Sequence, residues 1–272
     1  MMDVTSRISF FVLSCDKYSD LWEDFFNLKD KFWPDCPFDW TVVTETTHYK
    51  RDGVKTLICG NDLNWTGRLR KACLSVNTEK VCFFLDDFYI NSPIDNNAVL
   101  KSIDLAVKEN VDYYVLGDAF SRDIKSVTYY NDNIVVIPAD RPYGIDTSVA
   151  IWNRNFLLSL IGDKDCNAWQ FELDRLEEAR LNVHQNRKLW YDKRLPLNVG
   201  SIPVVIQGKF YPKAIKDFQR RGYIINTEGR PVMSNVEVIK YDLKVFFSKM
   251  GFLKKPLKRF AGKYMGYKFF TK

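Results

Sequence analysis

The feature that most constrains the fold is the run of residues 81–85, Val-Cys-Phe-Phe-Leu, which is apolar throughout. A strand with one face in water alternates apolar and polar residues, and this run does not alternate. It therefore predicts a strand covered on both faces, as in a mostly parallel sheet flanked by helices. The run ends abruptly in two adjacent carboxylates, Asp86 and Asp87. We expect a central strand that delivers both acids to one edge of a sheet.

Strand-like and helix-like stretches alternate over the first part of the chain. Besides residues 81–85, the predicted strands are 8–13, 40–44, 54–59 and 111–116, and the predicted helices are 21–33, 65–76 and 93–108. This alternation predicts an α/β fold with a mostly parallel, doubly wound sheet. Further along, a polar turn at residues 131–133 lies between two β-rich runs and predicts a hairpin.

Length, composition and cysteine usage narrow the class of protein. A chain of 272 residues, 46% of them hydrophobic, has room for one catalytic domain, which we assign to residues 1–240, and a tail, residues 241–272. Its six cysteines lack zinc-site spacing and disulfide-framework density, which favours buried thiols in a reducing compartment. No signal peptide or spanning segment is recognisable, so we expect a cytoplasmic protein.

The positive charge is concentrated in the tail. Residues 244–272 hold nine Lys or Arg and no Asp or Glu, so the preceding 243 residues carry a net charge of −3. This distribution argues against a nucleic-acid binder, whose basic residues would cover a face of the folded body. Apolar residues recur every three or four positions in the tail, which predicts a basic amphipathic element on an anionic membrane surface. The alternative is a C-terminal helix packed on the body with its lysines in water.

The acid pair at the end of the apolar run is the strongest chemical signal. In open α/β sheets, ligands bind beyond the carboxyl ends of the strands. Asp86 and Asp87 would repel one another there unless a cation or hydrogen-bond donors compensate. Mg²⁺ and Mn²⁺ accept one or two carboxylates together with substrate phosphates and water. The pair thus predicts a divalent-metal site, although a pair that merely caps the next loop has the same sequence.

Four motifs in order resemble bacterial GT-A glycosyltransferases that build surface polysaccharides such as lipopolysaccharide and capsule. They are Trp65-x-x-Arg68-Leu69, Val81-Cys82-Phe83-Phe84-Leu85-Asp86-Asp87-Phe88, Ser148-Val149-Ala150-Ile151-Trp152-Asn153-Arg154 and Asn167-Ala168-Trp169-Gln170-Phe171-Glu172. The resemblance extends over residues 7–230 and leaves the tail unexplained. It implies a GT-A-like, Rossmann-like fold and a nucleotide-sugar donor.

The resemblance also implies roles for individual residues. Asp87 would ligate Mn²⁺ or Mg²⁺, and Asp86 would face the donor ribose or the metal through a water. The residues implied around the nucleotide-sugar donor are Ser14, Asp16, Tyr18, Trp65, Arg68 and Asp86.

Glu172 is the predicted catalytic base. It follows Trp169 by three positions on the same helical face, so a carboxylate would lie beside a flat apolar platform. In an inverting transfer, such a carboxylate takes the proton of the attacking hydroxyl. Trp169 and Ser148 are the predicted acceptor-binding residues. The alternative is that Glu172 is a first-turn acid that favours the helix dipole and that Trp169 belongs to the core.

Together these features predict a metal-dependent glycosyltransferase that moves a sugar from a nucleotide-diphosphate donor to a hydroxyl of a glycan or lipid-linked acceptor. The expected location is the inner face of the cytoplasmic membrane. One alternative is a nucleotidyltransferase, although the glycine-rich phosphate loop expected near the first strand is missing. Another is a non-catalytic domain that binds carbohydrate or a protein partner. The sequence has no Ser/His/Asp grouping, which disfavours a hydrolase.

Overall fold

A computed structural model describes residues 4–117, 128–200 and 202–249. Within these residues, nine strands form one sheet in the order β3-β2-β1-β4-β8-β5-β9-β7-β6, and β10 and β11 form a separate hairpin. In chain order the strands are β1 (Ile8–Leu13), β2 (Trp40–Thr44), β3 (Val54–Ile58), β4 (Lys80–Leu85), β5 (Tyr113–Gly117), β6 (Thr128–Tyr129), β7 (Ile134–Val136), β8 (Val149–Asn153), β9 (Leu189–Asp192), β10 (Val205–Ile206) and β11 (Lys209–Phe210).

Helices flank the sheet, and short polar residues begin several of them. The α-helices are α1 (Trp22–Phe32), α2 (Trp65–Leu74), α3 (Asn96–Lys108), α4 (Arg154–Ile161), α5 (Ala168–Arg180), α6 (Pro212–Arg220) and α7 (Asn235–Lys249). A side-chain oxygen just before the helix accepts a hydrogen bond from a first-turn backbone N–H in α2, α3, α4 and α5. Such caps satisfy otherwise unpaired donors and stabilise a helix by about 1 kcal/mol each.

The predicted central strand is covered on both faces. Val81 and Phe83 pack in one hydrophobic cluster, Cys82 and Phe84 pack in another, and all four are fully buried. Burying an apolar side chain of this size stabilises the fold by about 1.5–3 kcal/mol. The apolar run of β4 therefore packs in a hydrophobic cluster on each face of the sheet. This confirms the prediction that the strand is covered on both faces.

Strand directions bring the functional residues to one edge. β1, β2, β3 and β4 are mutually parallel, and Leu13 pairs with Leu85 at the carboxyl ends of β1 and β4. β8 enters between β4 and β5 and runs antiparallel to both, with Phe83 opposite Ala150. The residues that follow β1 and β4 therefore lie side by side, at the same edge as the residues that precede β8.

Most elements of the first part of the chain are where the sequence predicts them. The five predicted strands correspond to β1–β5, the hairpin around residues 131–133 joins β6 to β7, and the mostly parallel α/β sheet is confirmed. The antiparallel β8 and the added β9 were not predicted as strands. All six cysteines are free, and the predicted burial of the thiols holds only in part, because Cys59, Cys73 and Cys82 are buried whereas Cys15, Cys36 and Cys166 are partly exposed.

The predicted tail only partly falls within the described residues. Helix α7 continues through residues 240 and 241, the predicted domain boundary, so the start of the tail extends a helix of the body. Residues 250–272, which carry most of the predicted amphipathic element, lie outside the described residues. Within the described ranges, no helix is long and apolar enough to cross a membrane.

Candidate functional site

The acid pair lies at the carboxyl end of β4, beside the first residue after β1. The Ser14 hydroxyl donates to a carboxylate oxygen of Asp86. The indole Nε1 of Trp22 donates to the Ser14 hydroxyl oxygen over 2.7 Å. Because Ser14 receives the indole hydrogen, its own hydrogen is available for Asp86. Both Ser14 and Asp86 are buried, so this relay holds Asp86 in one orientation.

The electrostatics of the acid pair leave it short of positive charge. Burial, with the neighbouring Asp87 charge second, holds the pKa of Asp86 well above its ordinary range. Burial also raises the pKa of Asp87 to about 6. Among the described residues, no group of three or more His, Cys, Asp or Glu side chains is arranged so that it could hold a metal ion. Two carboxylates fit Mg²⁺ or Mn²⁺, which need few protein ligands and complete their shell with phosphate oxygens and water.

Arg230 is a site residue that the sequence interpretation missed. Its buried guanidinium binds both carboxylate oxygens of Asp20, over 3.0 and 2.8 Å. It also lies 4.2 Å from the ring centroid of Tyr18 and donates to the Lys17 carbonyl. Its charge lowers the pKa values of Asp86 and Asp87, against the effect of burial. Arg230 thus fastens the short 3-10 helix after β1 beside the acid pair.

A glycine allows this close approach. A Cβ atom on Gly229 would lie 2.6 Å from the Cβ of Asp20, which real Cβ contacts do not reach. Further hydrogen bonds hold the same C-terminal segment against α1, because Asp24 accepts from the Tyr223 hydroxyl over 2.6 Å and from the Asn226 backbone over 2.9 Å. Residues 223–230 are therefore anchored on the first turns of the chain after β1.

Asp16, a predicted nucleotide-binding residue, links two loops in the structure. Its carboxylate accepts hydrogen bonds from the backbone N–H groups of Glu45, Thr46 and Thr47. Although burial alone would raise the pKa of Asp16, the Thr46 hydroxyl and these N–H groups lower it to about 2. This carboxylate orders the edge between β1 and β2, and its contact with a nucleotide stays a prediction.

The first turn of α2 presents two buried donors. Arg68 donates to the Glu45 carboxylate over 3.0 Å and to the Leu63 carbonyl over 2.8 Å. The Nε of Arg68 and the Nε1 of Trp65 are buried and have no hydrogen-bond partner. An unpaired buried donor costs about 1–3 kcal/mol. A ligand with oxygen acceptors would remove this cost at both positions.

The predicted base lies at the same edge of the sheet. Glu172 Oε1 accepts from the Thr147 backbone over 3.1 Å and from the Thr147 hydroxyl over 2.7 Å. Extending the β4–β8 register beyond its last pair, Phe83 and Ala150, would place Thr147 level with Asp86. Trp169, one turn earlier on α5, is exposed, whereas Ser148 is buried directly before β8. The fold therefore places Glu172 and the acid pair at the same edge of the sheet.

A cavity at the opposite edge contains none of these residues. It has a volume of about 550 Å³, and its lining includes Ser9, Thr41 and Lys55 near the amino ends of β1–β3. The candidate site is instead the edge beyond the carboxyl ends of β1 and β4. The strand order reverses there, because β2 and β3 lie on one side of β1 and β4 lies on the other. Open α/β sheets bind ligands at such a reversal.

Comparisons with known proteins return structural similarities only. No protein-family profile matches the chain, and no curated protein matches it. It is similar to S. aureus TarS, with 16% identity, a TM-score of 0.42 and coverage of 68% of this chain and 36% of TarS. A cytidylyltransferase from Leptospira borgpetersenii serovar Hardjo-bovis has 12% identity, a TM-score of 0.44 and coverage of 88% and 94%.

A third similar structure is the galactosyltransferase LgtC in complex with donor and acceptor sugar analogs. It has 10% identity and a TM-score of 0.34, with coverage of 84% of each chain. The chain spans about a third of the TarS length, and all three similarities are distant. Likeness at this level says nothing about activity.

Proposed function

We propose that this chain is a metal-dependent glycosyltransferase that transfers a sugar from a nucleotide-diphosphate donor to a hydroxyl of a glycan or lipid-linked acceptor. The observation that carries the proposal is the Ser14–Asp86 hydrogen bond, which joins the ends of β1 and β4 at the reversal of strand order. This bond supports the proposal because it holds the acid pair at the edge where open α/β sheets bind ligands. Diphosphate bound through a divalent cation is the ligand chemistry that suits them best.

In this proposal Asp87 and Asp86 hold Mn²⁺ or Mg²⁺. When bound, the cation supplies positive charge that neutralises the departing diphosphate. The protein contributes the orientation of Asp86 through Ser14 and Trp22. Burial makes the ionised acids unfavourable without a counter-charge, which strengthens cation binding near neutral pH.

The donor would lie against the loop after β1 and the first turn of α2. Tyr18 is held there by Arg230 and offers a ring to the nucleotide. Arg68 Nε and Trp65 Nε1, both buried without a partner, would donate to phosphate or sugar oxygens. Ser14 and Asp16 complete the proposed donor site as residues that orient the loop.

Glu172 would act as the base that takes the acceptor proton, with Trp169 and Ser148 beside the acceptor. Two hydrogen bonds from Thr147 hold Oε1 in place, which supports a fixed position for this carboxylate. A base at this position and no carboxylate nucleophile would give inversion at the anomeric carbon. A lipid-linked acceptor agrees with the predicted attachment of residues 244–272 to the inner face of the cytoplasmic membrane.

Thermal stabilisation by nucleotide sugars tests the proposal. A ligand at about a hundred times its dissociation constant stabilises the folded state by about 2.7 kcal/mol, a shift in Tm of roughly 5–10 °C for a chain of this size. We expect one member of a panel of nucleotide-diphosphate sugars to give such a shift with Mn²⁺ and a much smaller one with a chelator. Asp87→Asn should lose the Mn²⁺-dependent part, whereas Asp132→Asn, in the hairpin between β6 and β7, should keep it.

Product analysis separates the alternatives. Release of nucleoside diphosphate in the presence of an acceptor supports transfer. Release of pyrophosphate from CTP or UTP with a sugar phosphate would identify a nucleotidyltransferase instead. If the chain binds glycans but is stabilised by no nucleotide sugar and no metal, it is a carbohydrate-binding domain and the proposal fails.

A further inference from the structure

Helix α7 has apolar residues on two opposite faces. Val238 and Tyr241 pack against the main hydrophobic core. On the opposite side, Val236, Ile239 and Leu243 follow one another at helical spacing and are 60%, 58% and 45% exposed. Phe246, one turn further on, is 58% exposed. A contiguous row of large exposed apolar side chains on a folded body indicates a contact surface.

The acids of α7 are both turned toward the body. Glu237 pairs with Lys209 and accepts from Ser234. Asp242 accepts from the Tyr211 hydroxyl and pairs with Lys213 over 2.8 Å. These contacts neutralise both carboxylates on the side of the helix that meets β11 and α6. They also fix the rotation of α7 about its own axis.

The exposed side of the helix is therefore apolar and cationic. We name the α7 outer face as the residues Val236, Ile239, Lys240, Leu243 and Lys244. Both lysines are exposed and lie along one side of the apolar row. No acidic residue occurs among these positions or in residues 244–272, which follow directly. A partner must accept apolar side chains and supply negative charge beside them.

The positive charge of the α7 outer face disfavours two other occupants of this surface. A second copy of the chain would bring the lysines of one outer face against those of the other. Residues 250–272 of the same chain carry seven Lys or Arg and no acid, so they too would be repelled. Like charges brought together without compensation disfavour a contact. An anionic lipid bilayer satisfies both conditions. Its acyl chains accept the apolar side chains, and its negative headgroups attract the lysine ammonium groups.

We propose that the α7 outer face docks on an anionic membrane surface, with Val236, Ile239 and Leu243 inserted at the acyl boundary. Val236, Ile239 and Leu243 thus belong to the described helix α7 and precede residues 244–272, in which the basic amphipathic element is predicted. The inference does not depend on sugar-transfer chemistry. Only four residues separate Arg230 from the start of α7, so docking would orient the segment that is anchored beside the candidate site.

Cosedimentation of the full chain with vesicles tests the proposal. We expect wild type to bind vesicles of phosphatidylglycerol and phosphatidylcholine, and to bind pure phosphatidylcholine much more weakly. The combined variant Val236→Ser, Ile239→Ser, Leu243→Ser should bind the anionic vesicles roughly tenfold more weakly. The matched control, Leu74→Ser, Leu181→Ser, Ile224→Ser, replaces three other side chains that are at least as exposed, and should bind like wild type.

A charge variant keeps the test independent of folding effects. Lys240→Glu with Lys244→Glu leaves the apolar row intact and should weaken binding to anionic vesicles several-fold, with an unchanged Tm. Wild-type binding by both outer-face variants would overturn the proposal, as would equal binding of wild type to neutral and anionic vesicles. A dimer in light scattering that the serine variant converts to monomer would assign the surface to a second copy.

The outcome is separable from that of the proposed enzyme. The Mn²⁺-dependent nucleotide shift should be the same in wild type and in both outer-face variants. If none of these proteins shows that shift but membrane binding is as expected, the proposed transferase activity fails and the proposed docking surface stands.

Discussion

Asp86 and Asp87 are neighbours in the chain but have different surroundings. Asp86 is buried and accepts the Ser14 hydrogen bond, whereas Asp87 is only partly buried. Arg230 lowers the pKa values of both, but burial outweighs it. At the scale of single residues, the Ser14 hydrogen bond fixes the orientation of Asp86, and the positive charge near the two carboxylates does not balance theirs.

Glu172 is the residue whose role is easiest to isolate. Glu172→Gln keeps the shape and the hydrogen bonds from Thr147 but removes the basic oxygen. General-base catalysis typically contributes about 10²–10⁴-fold, so turnover should fall by that factor while the nucleotide-sugar shift in Tm is retained. The measurement is nucleoside diphosphate release at saturating donor and acceptor.

A second glutamate on the same helix is the control. Glu177 is exposed on α5 and pairs with Arg180, so Glu177→Gln should keep wild-type turnover. Full activity of Glu172→Gln would remove this carboxylate from the mechanism and favour its role as an acceptor for Thr147 alone.

At the scale of elements, the contact between the 3-10 helix Asp16–Leu21 and the segment before α7 joins distant parts of the chain. Arg230→Lys keeps one positive charge but loses the two-oxygen contact with Asp20 and the stacking on Tyr18. We expect donor affinity to fall by roughly tenfold, with a smaller change in the rate at saturating donor. Titration calorimetry with the stabilising nucleotide measures the first quantity, and steady-state kinetics measures the second.

Arg220→Lys, at the exposed end of α6, provides the matched control and should behave like wild type. If Arg230→Lys binds the donor as tightly as wild type, the contact fastens the segment without contributing to the nucleotide site. A large loss of Tm with unchanged affinity would support the same conclusion.

At the scale of the whole molecule, the acid pair makes stability depend on pH. The pKa of Asp87 is about 6 in the folded chain, against an ordinary value of 3.8. Between these values the folded state retains a proton that the unfolded state has lost, so raising the pH favours unfolding. Without metal, the free energy of unfolding should fall as the pH rises from about 4 to about 6, and Asp87→Asn should remove much of this fall.

Denaturant titrations of the chelator-treated protein at several pH values measure this effect. At pH 7 we expect Asp87→Asn to be more stable than wild type by on the order of 1 kcal/mol, and Mn²⁺ to reduce the difference. Equal stability of the two proteins at pH 7 without metal would show that Asp87 ionises at no cost in the folded chain.

Local patterns predicted much of the first half of the fold. The run of residues 81–85 indicates a doubly covered strand because side-chain burial follows strand geometry directly. The caps of α2 and α5 are also local, since Asn64 and Asn167 bond to backbone groups within three residues. Asp86 and Asp87 could be singled out for the same reason, because they follow that strand in the chain.

Contacts between distant parts of the chain needed the tertiary structure. Nothing near Arg230 in the sequence indicates that it binds Asp20, 210 positions earlier, and the insertion of β8 between β4 and β5 depends on pairing that local periodicity does not encode. The sequence by itself determined the acid pair, the strand that carries it and the basic tail. Only the folded chain decided which side chains meet that pair and which face of α7 is left apolar and cationic, because packing selects partners across the whole chain.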